Sequence, residues 1–184
     1  IKPMSPIDFF MERPLRGDTL MSMTFSDFAL ADTLKQALVD LEFTTPTSVQ
    51  IAAIPAALNG KDLLVSSQTG SGRTAAFLLP ALNVLASTPQ APLSTRLKDM
   101  PAPTVLVLCP TRELAQQVSQ DAINLVRHVK GVRIASIMGG MPFGKQIAQM
   151  KGAQVIVATP GRLLDLVNRR QISLGEVKTL ILDE

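Results

Sequence analysis

The segment 67–74 constrains the fold most, because it has the sequence of a phosphate-binding loop between a strand and a helix. It reads Ser-Gln-Thr-Gly-Ser-Gly-Arg-Thr, follows the apolar run 63–65 and precedes the helix-like run 75–79. Glycines let backbone N–H groups close around phosphate oxygens, and a helix N-terminus adds the positive end of its dipole. The sequence therefore predicts a nucleoside triphosphate site.

This loop departs from the general pattern G-x-x-x-x-G-K-[ST], in which the Lys contacts the β- and γ-phosphates and the hydroxyl binds Mg²⁺. Gly72 and Thr74 match, but Ser67 replaces the first Gly and Arg73 replaces the Lys. The altered cation changes the main charge contact of the predicted site. The residues that we expect to hold the phosphates and the metal are Thr69, Gly70, Ser71, Gly72, Arg73 and Thr74.

Short apolar runs alternate with helix-like runs along the rest of the chain. The predicted strands are 62–66, 104–109, 133–138, 154–158 and 179–183, and the predicted helices are 30–41, 48–58, 74–85, 112–129, 145–150 and 162–168. Near-continuous Val, Ile and Leu is typical of strands buried on both faces, and intervening helices imply right-handed crossovers. The fold class is therefore α/β, a mainly parallel sheet flanked by helices, with a proline-rich surface loop at 87–103.

Each predicted strand is followed by a polar or glycine-rich turn. In open parallel sheets ligands gather at the carboxyl ends of the strands, so we expect these turns at one edge of one sheet. Thr111 and Thr159 are also ordinary helix N-caps, and Gly139-Gly140 is also an ordinary tight turn. After the phosphate loop the turns are Pro110-Thr111-Arg112, Gly139-Gly140, Thr159-Pro160-Gly161-Arg162 and Asp183-Glu184.

Two further pairs have a structural and a functional interpretation. Asp183 at a strand end is able to hold Mg²⁺ through water while Glu184 takes a proton from attacking water, or both are simply solvated. A phosphate loop in the same predicted sheet favours the catalytic interpretation. Phe43 and Gln50 are either a buried aromatic and a capping amide, or residues near a base, since Gln pairs with the N6 and N7 atoms of adenine.

Composition narrows the class of protein. Hydrophobic residues make up 46% and charged residues 18%, which is globular, and the net charge of +3 is only weak support for an anionic partner. Cys109, the single cysteine, lies in an apolar run and is predicted to be a buried small hydrophobe in a reducing compartment. No apolar run approaches the roughly 18 residues of a membrane span. We expect a cytoplasmic monomer without membrane contact.

Taken in order, these blocks resemble the DEAD-box family of ATP-dependent RNA helicases, of the bacterial type, over about residues 23–184. The resemblance implies a first RecA-like domain, incomplete at its C-terminus, with ATP and Mg²⁺ as cofactors. It implies that Gln50 contacts adenine and Phe43 packs on the base with Phe25 behind it. It makes Arg73, Asp183 and Glu184 the catalytic group, with Thr74 and Asp183 at the metal.

The resemblance also implies that RNA binds across the remaining turns. The chain has no Trp or Tyr, and none of these turns contains an aromatic residue. Single-strand binders that stack bases need aromatic platforms, so we expect grip on the RNA backbone without sequence choice. The implied contacts are Pro110, Thr111, Arg112, Gly139, Gly140, Thr159, Pro160, Gly161 and Arg162.

The expected organisation is a tail or non-native extension at 1–22, a helical segment with the adenine motif at 23–60, and the ATP-binding core at 61–184. Two departures from the family matter. Arg73 predicts weakened triphosphate binding or a misplaced γ-phosphate, and hence little or no hydrolysis, because a planar guanidinium fork replaces a compact ammonium. The chain also ends within the acidic motif at Glu184 and lacks the second RecA-like domain, so we expect no unwinding by this chain alone.

Two other functions stay open at this point. One is a non-catalytic RNA-binding or interaction module with a degenerate nucleotide site, which Arg73 favours. The other is a phosphate-loop NTPase unrelated to nucleic acid, which the adenine-like segment and the anion-binding turns disfavour.

Overall fold

The computed structural model describes residues 8–11, as backbone only, and residues 23–184, and the chain divides into two compact units. The first unit is Ile1–Ser87 and the second is Thr88–Glu184. This boundary differs from the predicted one at residue 61. Of the predicted tail at 1–22, only Asp8–Met11 is described, and it forms a strand.

Among its described residues, the first unit contains two strands and three α-helices. Strand β1, Asp8–Met11, pairs in parallel with β2, Leu63–Ser66, with Asp8 opposite Leu63. The other described elements are a 3-10 turn at Phe25–Asp27, then α1 Asp32–Asp40, α2 Ser48–Leu58 and α3 Arg73–Ala86. Side chains from all three α-helices are fully buried in its core, namely Leu34, Leu38, Ile54, Leu78, Leu79 and Leu82.

The second unit is a four-stranded parallel sheet with helices in each connection. Its strands are β3 Val105–Leu108, β4 Ile134–Ile137, β5 Val155–Ala158 and β6 Thr179–Leu182. Its helices are α4 Leu93–Arg96, α5 Arg112–Leu125, α6 Phe143–Met150 and α7 Pro160–Asn168. The spatial order is β4-β5-β3-β6.

The register of this sheet places its functional turns at one edge. Leu108 of β3 lies opposite both Ala158 of β5 and Leu182 of β6, while Ile137 of β4 also lies opposite Ala158. All four carboxyl ends are therefore level. The predicted edge for ligands is present in this unit, and β5 at its centre is buried along its whole length.

The core of the second unit explains why these segments fold as predicted. Buried side chains from β3, β4, β5, α6 and α7 form one cluster, with Ile137, Met150, Ile156 and Leu166 fully enclosed. Continuous apolar strands allow both faces of the sheet to be covered in this way. The α/β class with a parallel sheet flanked by helices is confirmed.

Three details differ from the sequence-based expectation. The phosphate-loop strand β2 pairs with β1 and not with the other four, so the described strands form two sheets where one was predicted. The predicted loop 87–103 contains the short helix α4. Helix α5 ends at Leu125, four residues before the predicted end, where Val129 N–H turns back to Val126 O. Within residues 8–11 and 23–184, no helix is long and apolar enough to cross a membrane.

Candidate functional site

The predicted phosphate loop lies in the first unit and is shaped by two left-handed glycines. Gly70 has φ +80° and Gly72 has φ +83°. Only glycine adopts this conformation without strain, and Gly72 is the N-cap of α3. The loop therefore turns sharply into the start of a 14-residue helix whose first N–H groups have no partner within the helix.

Gln50 joins this loop to the start of α2. Its side chain is 2% exposed; Oε1 accepts from Thr47 N at 3.0 Å, and Nε2 donates to Gly72 O at 3.1 Å. Thr47 Oγ1 accepts in return from Gln50 N at 3.4 Å, which completes a capping box. Gln50 is thus a capping amide here. An amide has two donors and two lone pairs, so adenine recognition would use the remaining capacity or exchange these bonds.

Phe43 presents part of its ring to solvent. It is 37% exposed and packs edge-on against the buried Phe25, with ring centroids 5.7 Å apart. Phe25 also packs edge-on against Phe28 at 5.9 Å. The contact of Phe25 with Phe43 follows the expected arrangement, and the aromatic cluster fixes the exposed ring near the start of α2.

Arg73 bends back toward the loop that precedes it. Its Nη1 donates to Ser67 O at 3.4 Å, and Ser71 Oγ donates to Ser67 Oγ at 2.9 Å across the same turn. A guanidinium in this position holds a loop carbonyl as well as adding charge. Thr74 follows in the first turn of α3 and is half-buried.

In the second unit, Arg112 ties the turn after β3 to the turn after β4. Gly140 has φ +85°, and a Cβ added there would lie 2.8 Å from Arg112 Nη1, so the guanidinium packs directly on this glycine. Thr111 Oγ1 accepts from Leu114 N at 3.2 Å and caps α5. Arg112 is exposed at the helix start, where the dipole also favours an anion.

Arg162 ties the turn after β5 to the same turn after β4. Its Nη1 donates to Met141 O at 2.7 Å and to Gln146 Oε1 at 2.9 Å. Its guanidinium carbon also lies 4.2 Å from the centre of the Phe143 ring. Three of the predicted RNA-contacting turns are therefore linked through two arginines at one edge of the sheet.

Gln146 is a site residue that sequence reasoning missed. It is fully buried, and its Nε2 donates to Met138 O at 2.5 Å while its Oε1 accepts from Arg162. The available signal was its position four residues before Met150 on α6, since both face the core. A polar residue on that face needs a partner, and here the partner is the arginine of the next turn.

Asp183 and Glu184 follow β6. Asp183 is 5% exposed and its backbone N–H donates to Leu108 O at 3.0 Å, whereas Glu184 is exposed. Burial, and then the charges of Asp183 and Glu184, raise the pKa of the Cys109 thiol to about 11. Cys109 is 1% exposed, so the expectation of a buried hydrophobe is confirmed.

We expect Cys109 to resist alkylation in the folded chain. At pH 8 iodoacetamide should label it at least tenfold more slowly than in guanidinium chloride, because only the thiolate reacts and burial suppresses it. The same burial makes the free energy of unfolding depend on pH. It is unaffected by Cys109 below pH ~8.5, where the thiol is protonated in both states, and it declines as pH rises toward about 11, because only the unfolded chain ionises the thiol readily. Equal labelling rates by mass spectrometry in both conditions would contradict the buried position.

Comparison with known proteins decides the family. The family model described as DEAD/DEAH box helicase matches residues 47–184, which is most of the chain. The chain belongs to the DEAD/DEAH box helicase family. The predicted resemblance is thereby confirmed.

Several DEAD-box relatives are similar along most of this chain. It is 42% identical over 167 residues to the ATP-dependent RNA helicase DeaD of Buchnera aphidicola, covering 90% of the chain and 26% of the relative. It is 46% identical over 162 residues to the ATP-dependent RNA helicase SrmB of Escherichia coli K12, covering 88% and 35%. The chain therefore spans between a quarter and about a third of these relatives.

Solved DEAD-box structures share the fold. A DEAD box protein from Methanococcus jannaschii matches with TM-score 0.76 and 35% identity, over 88% of this chain and 41% of that one. The RNA helicase Prp28 from Chaetomium thermophilum bound to ADP matches with TM-score 0.76 and 37% identity, over 88% and 38%. These matches agree with a RecA-like DEAD-box domain.

Within each unit, the structure brings together part of the predicted DEAD-box site. Gln50, Gly72 and Arg73 meet at the phosphate loop, and Arg112, Gly140 and Arg162 meet at the sheet edge. Thr74 and Asp183, the predicted magnesium ligands, belong to different units. Their joint role stays a prediction.

Proposed function

We propose that this chain is the ATP-binding core domain of an RNA helicase and that it grips the RNA backbone at the carboxyl edge of the second unit's sheet. The observation that carries the proposal is the linkage of three turns by Arg112 and Arg162 around Gly140 and Met141. This linkage places two cations and two helix N-termini at the same edge of the sheet. That is an arrangement suited to successive phosphates.

Recognition at this edge would not depend on base sequence. The turns 110–112, 139–140 and 159–162 offer hydroxyls, glycine backbone and guanidinium groups and contain no aromatic ring. Contacts to phosphate and sugar position a strand without reading bases. We therefore infer an RNA helicase domain that accepts many sequences, as expected from the resemblance.

The phosphate loop has the backbone shape of a nucleotide site, but the side chain of Arg73 does not suit it. The left-handed glycines and the first turn of α3 form a backbone cradle that suits phosphate oxygens. Backbone N–H groups from Thr69 to Arg73 would hold the phosphates, and the Thr74 hydroxyl would ligate Mg²⁺. ATP supplies a phosphoanhydride whose cleavage drives remodelling. Arg73, bonded to Ser67 O, does not match the compact ammonium that such loops enclose.

The test of the RNA edge is substitution of Arg112 by Gln. We expect about tenfold weaker binding of single-stranded RNA and a salt dependence smaller by roughly one phosphate contact. The matched control is Lys61→Gln, which removes one exposed charge from the first unit. Fluorescence anisotropy with a labelled 12-nucleotide RNA measures both. Unchanged affinity in Arg112→Gln would refute the assigned edge.

A non-catalytic RNA-binding module is the second candidate function, and the contact between Arg73 and Ser67 favours it. In that case RNA affinity would be independent of nucleotide. ATP hydrolysis by the complete protein would then stay absent even after Arg73→Lys. The Arg73→Lys variant therefore distinguishes an ATPase domain from a non-catalytic binding module.

A further inference from the structure

Positive charge is concentrated in three segments that the proposed RNA edge does not use. The segments 90–103, 127–133 and 151–154 together contain six of the 18 Lys and Arg residues and one of the 15 acidic residues. They carry a net charge of +5, whereas the whole chain carries only +3. The remainder of the chain is therefore slightly acidic, and the basic charge has a defined location.

Arg96 brings these three segments together. Its Nη2 donates to Gly131 O at 2.7 Å, its Nη1 donates to Gly152 O, and its Nε donates to Ala91 O at 2.9 Å. Lys130 directly precedes Gly131, and Lys151 directly precedes Gly152. One guanidinium thus holds two lysine-bearing turns beside each other, and both lysines are exposed.

The buried side-chain amide of Gln154 also holds these turns in place. Gln154 is 6% exposed; its Oε1 accepts from Arg133 N at 2.8 Å, and its Nε2 donates to Gly131 O at 2.7 Å and Gln90 Oε1 at 3.0 Å. These hydrogen bonds fix the backbone of the turn that carries Lys130 and Arg133. We call the group Arg96, Lys98, Lys130, Arg133 and Lys151 the basic face.

The basic face lies at the opposite edge of the sheet from the turns of Arg112 and Arg162. Arg133 immediately precedes β4, and Gly152 lies three residues before β5. Burial, and then the nearby positive charge of Arg133, lower the pKa of the Arg96 guanidinium. The two cations therefore repel each other, and a bound polyanion would relieve that repulsion.

We propose that the basic face is a second binding site for the RNA phosphate backbone, separate from the carboxyl-edge turns. The proposal rests on the proposed function for the identity of the ligand. A four-residue strand is only ~13 Å long, so a structured RNA held at one edge reaches the other. Occupancy of the first edge raises the effective concentration of RNA at the second.

Exposed apolar residues near the basic face would suit a different ligand, an acidic protein segment. Leu93 is 41% exposed, Leu97 37% and Met100 53%. An acidic protein segment with apolar side chains would cover both the leucines and the cations. RNA is favoured because the cations are spread over three separate backbone segments, which suits a chain of regularly spaced phosphates.

The experiment compares Lys130→Gln/Lys151→Gln with Lys35→Gln/Lys61→Gln, which removes the same charge from the first unit. The probe is a labelled hairpin RNA of about 30 nucleotides with a single-stranded tail. We expect about tenfold weaker binding in the first pair, with the slope of log K against log salt smaller by roughly 1.5. The control pair should change both quantities by less than about twofold.

Arg112→Gln measured on the same RNA separates the two proposals. If Arg112→Gln weakens binding and the Lys130/Lys151 pair does not, the basic face is refuted and the RNA edge stands. If neither variant weakens binding, both the basic face and the proposed function are refuted. A third outcome also overturns the basic face as an RNA site: poly-L-glutamate binds the wild-type chain as tightly as RNA does and loses affinity in the lysine pair.

Discussion

Replacing Arg73 by Lys is expected to tighten Mg-ADP binding by about 10- to 100-fold. In the structure the guanidinium donates to Ser67 O within its own loop. A Lys ammonium is compact and cannot form the same fork, so it is released toward phosphates held by the loop N–H groups. A hydrogen bond to a charged partner is worth roughly 1.5–3 kcal/mol, which corresponds to that range.

The measurement is isothermal titration of Mg-ADP into the chain and its variants after circular dichroism has shown equal folding. Arg73→Gln is the matched control, because it removes the guanidinium without supplying an ammonium. We expect Gln to bind no better than Arg. Equal binding by Arg73 and Lys variants would show that the loop tolerates the guanidinium and that Arg73 does not limit the site.

Replacing Gly72 by Ala is expected to destabilise the first unit by about 2–5 kcal/mol. Gly72 has φ +83°, where a side chain costs roughly 1–2 kcal/mol. A Cβ there would also collide with Gln50 Nε2 and lie 3.1 Å from Thr47 Oγ1. The buried amide would lose its bond to Gly72 O, which adds roughly 1–3 kcal/mol when a partner is left unsatisfied.

Gly70→Ala is the control for the left-handed conformation alone. Gly70 has φ +80°, but a Cβ there would meet nothing within 4 Å. Denaturant unfolding should therefore show a loss of about 1–2 kcal/mol for Gly70→Ala and clearly more for Gly72→Ala. Similar losses in the two variants would mean that the contact between Gln50 and the loop contributes little to stability.

Much of the second unit was predictable because its signals are local. Strands such as Val105–Leu108 and Val155–Ala158 are continuous apolar runs, and the turns after them contain helix caps and glycines. Parallel strands with level carboxyl ends then bring these turns together. The positions of Arg112 and Arg162 follow from this rule alone.

Strand partners and side-chain pairings were not predictable in the same way. The segment Asp8–Met11 contains only three consecutive apolar residues and no flanking turn motif, yet it pairs with β2. Helix α4 lies in a proline-rich segment and is held by long-range bonds from Arg96 to Gly131 and Gly152. Such contacts join residues far apart in the chain, and one sequence gives no signal for them.

At the candidate site, the residue types were predictable and their partners were not. Gln50 was expected either to cap α2 or to contact adenine, and the structure shows the cap together with a bond to Gly72. Gln146 gave no motif signal because its role depends on Arg162, 16 residues further on. Phosphate-loop spacing predicted Arg73 as the unusual cation, but only the fold shows its contact with Ser67.

The hydrogen bonds that hold Arg162 bear on how the two proposed RNA sites would differ. The hydrogen bonds to Met141 O and Gln146 Oε1 both use Nη1, and the ring of Phe143 supports the guanidinium, so the Arg162 side chain has already lost much of its ~2 kcal/mol of rotamer entropy. A strand docking there orders little more. The exposed lysines of the basic face keep their freedom and would lose it on contact. If both proposed RNA sites are correct, the Arg162 edge would hold phosphates at a fixed spacing, whereas the lysines of the basic face would adapt to RNAs of different shape.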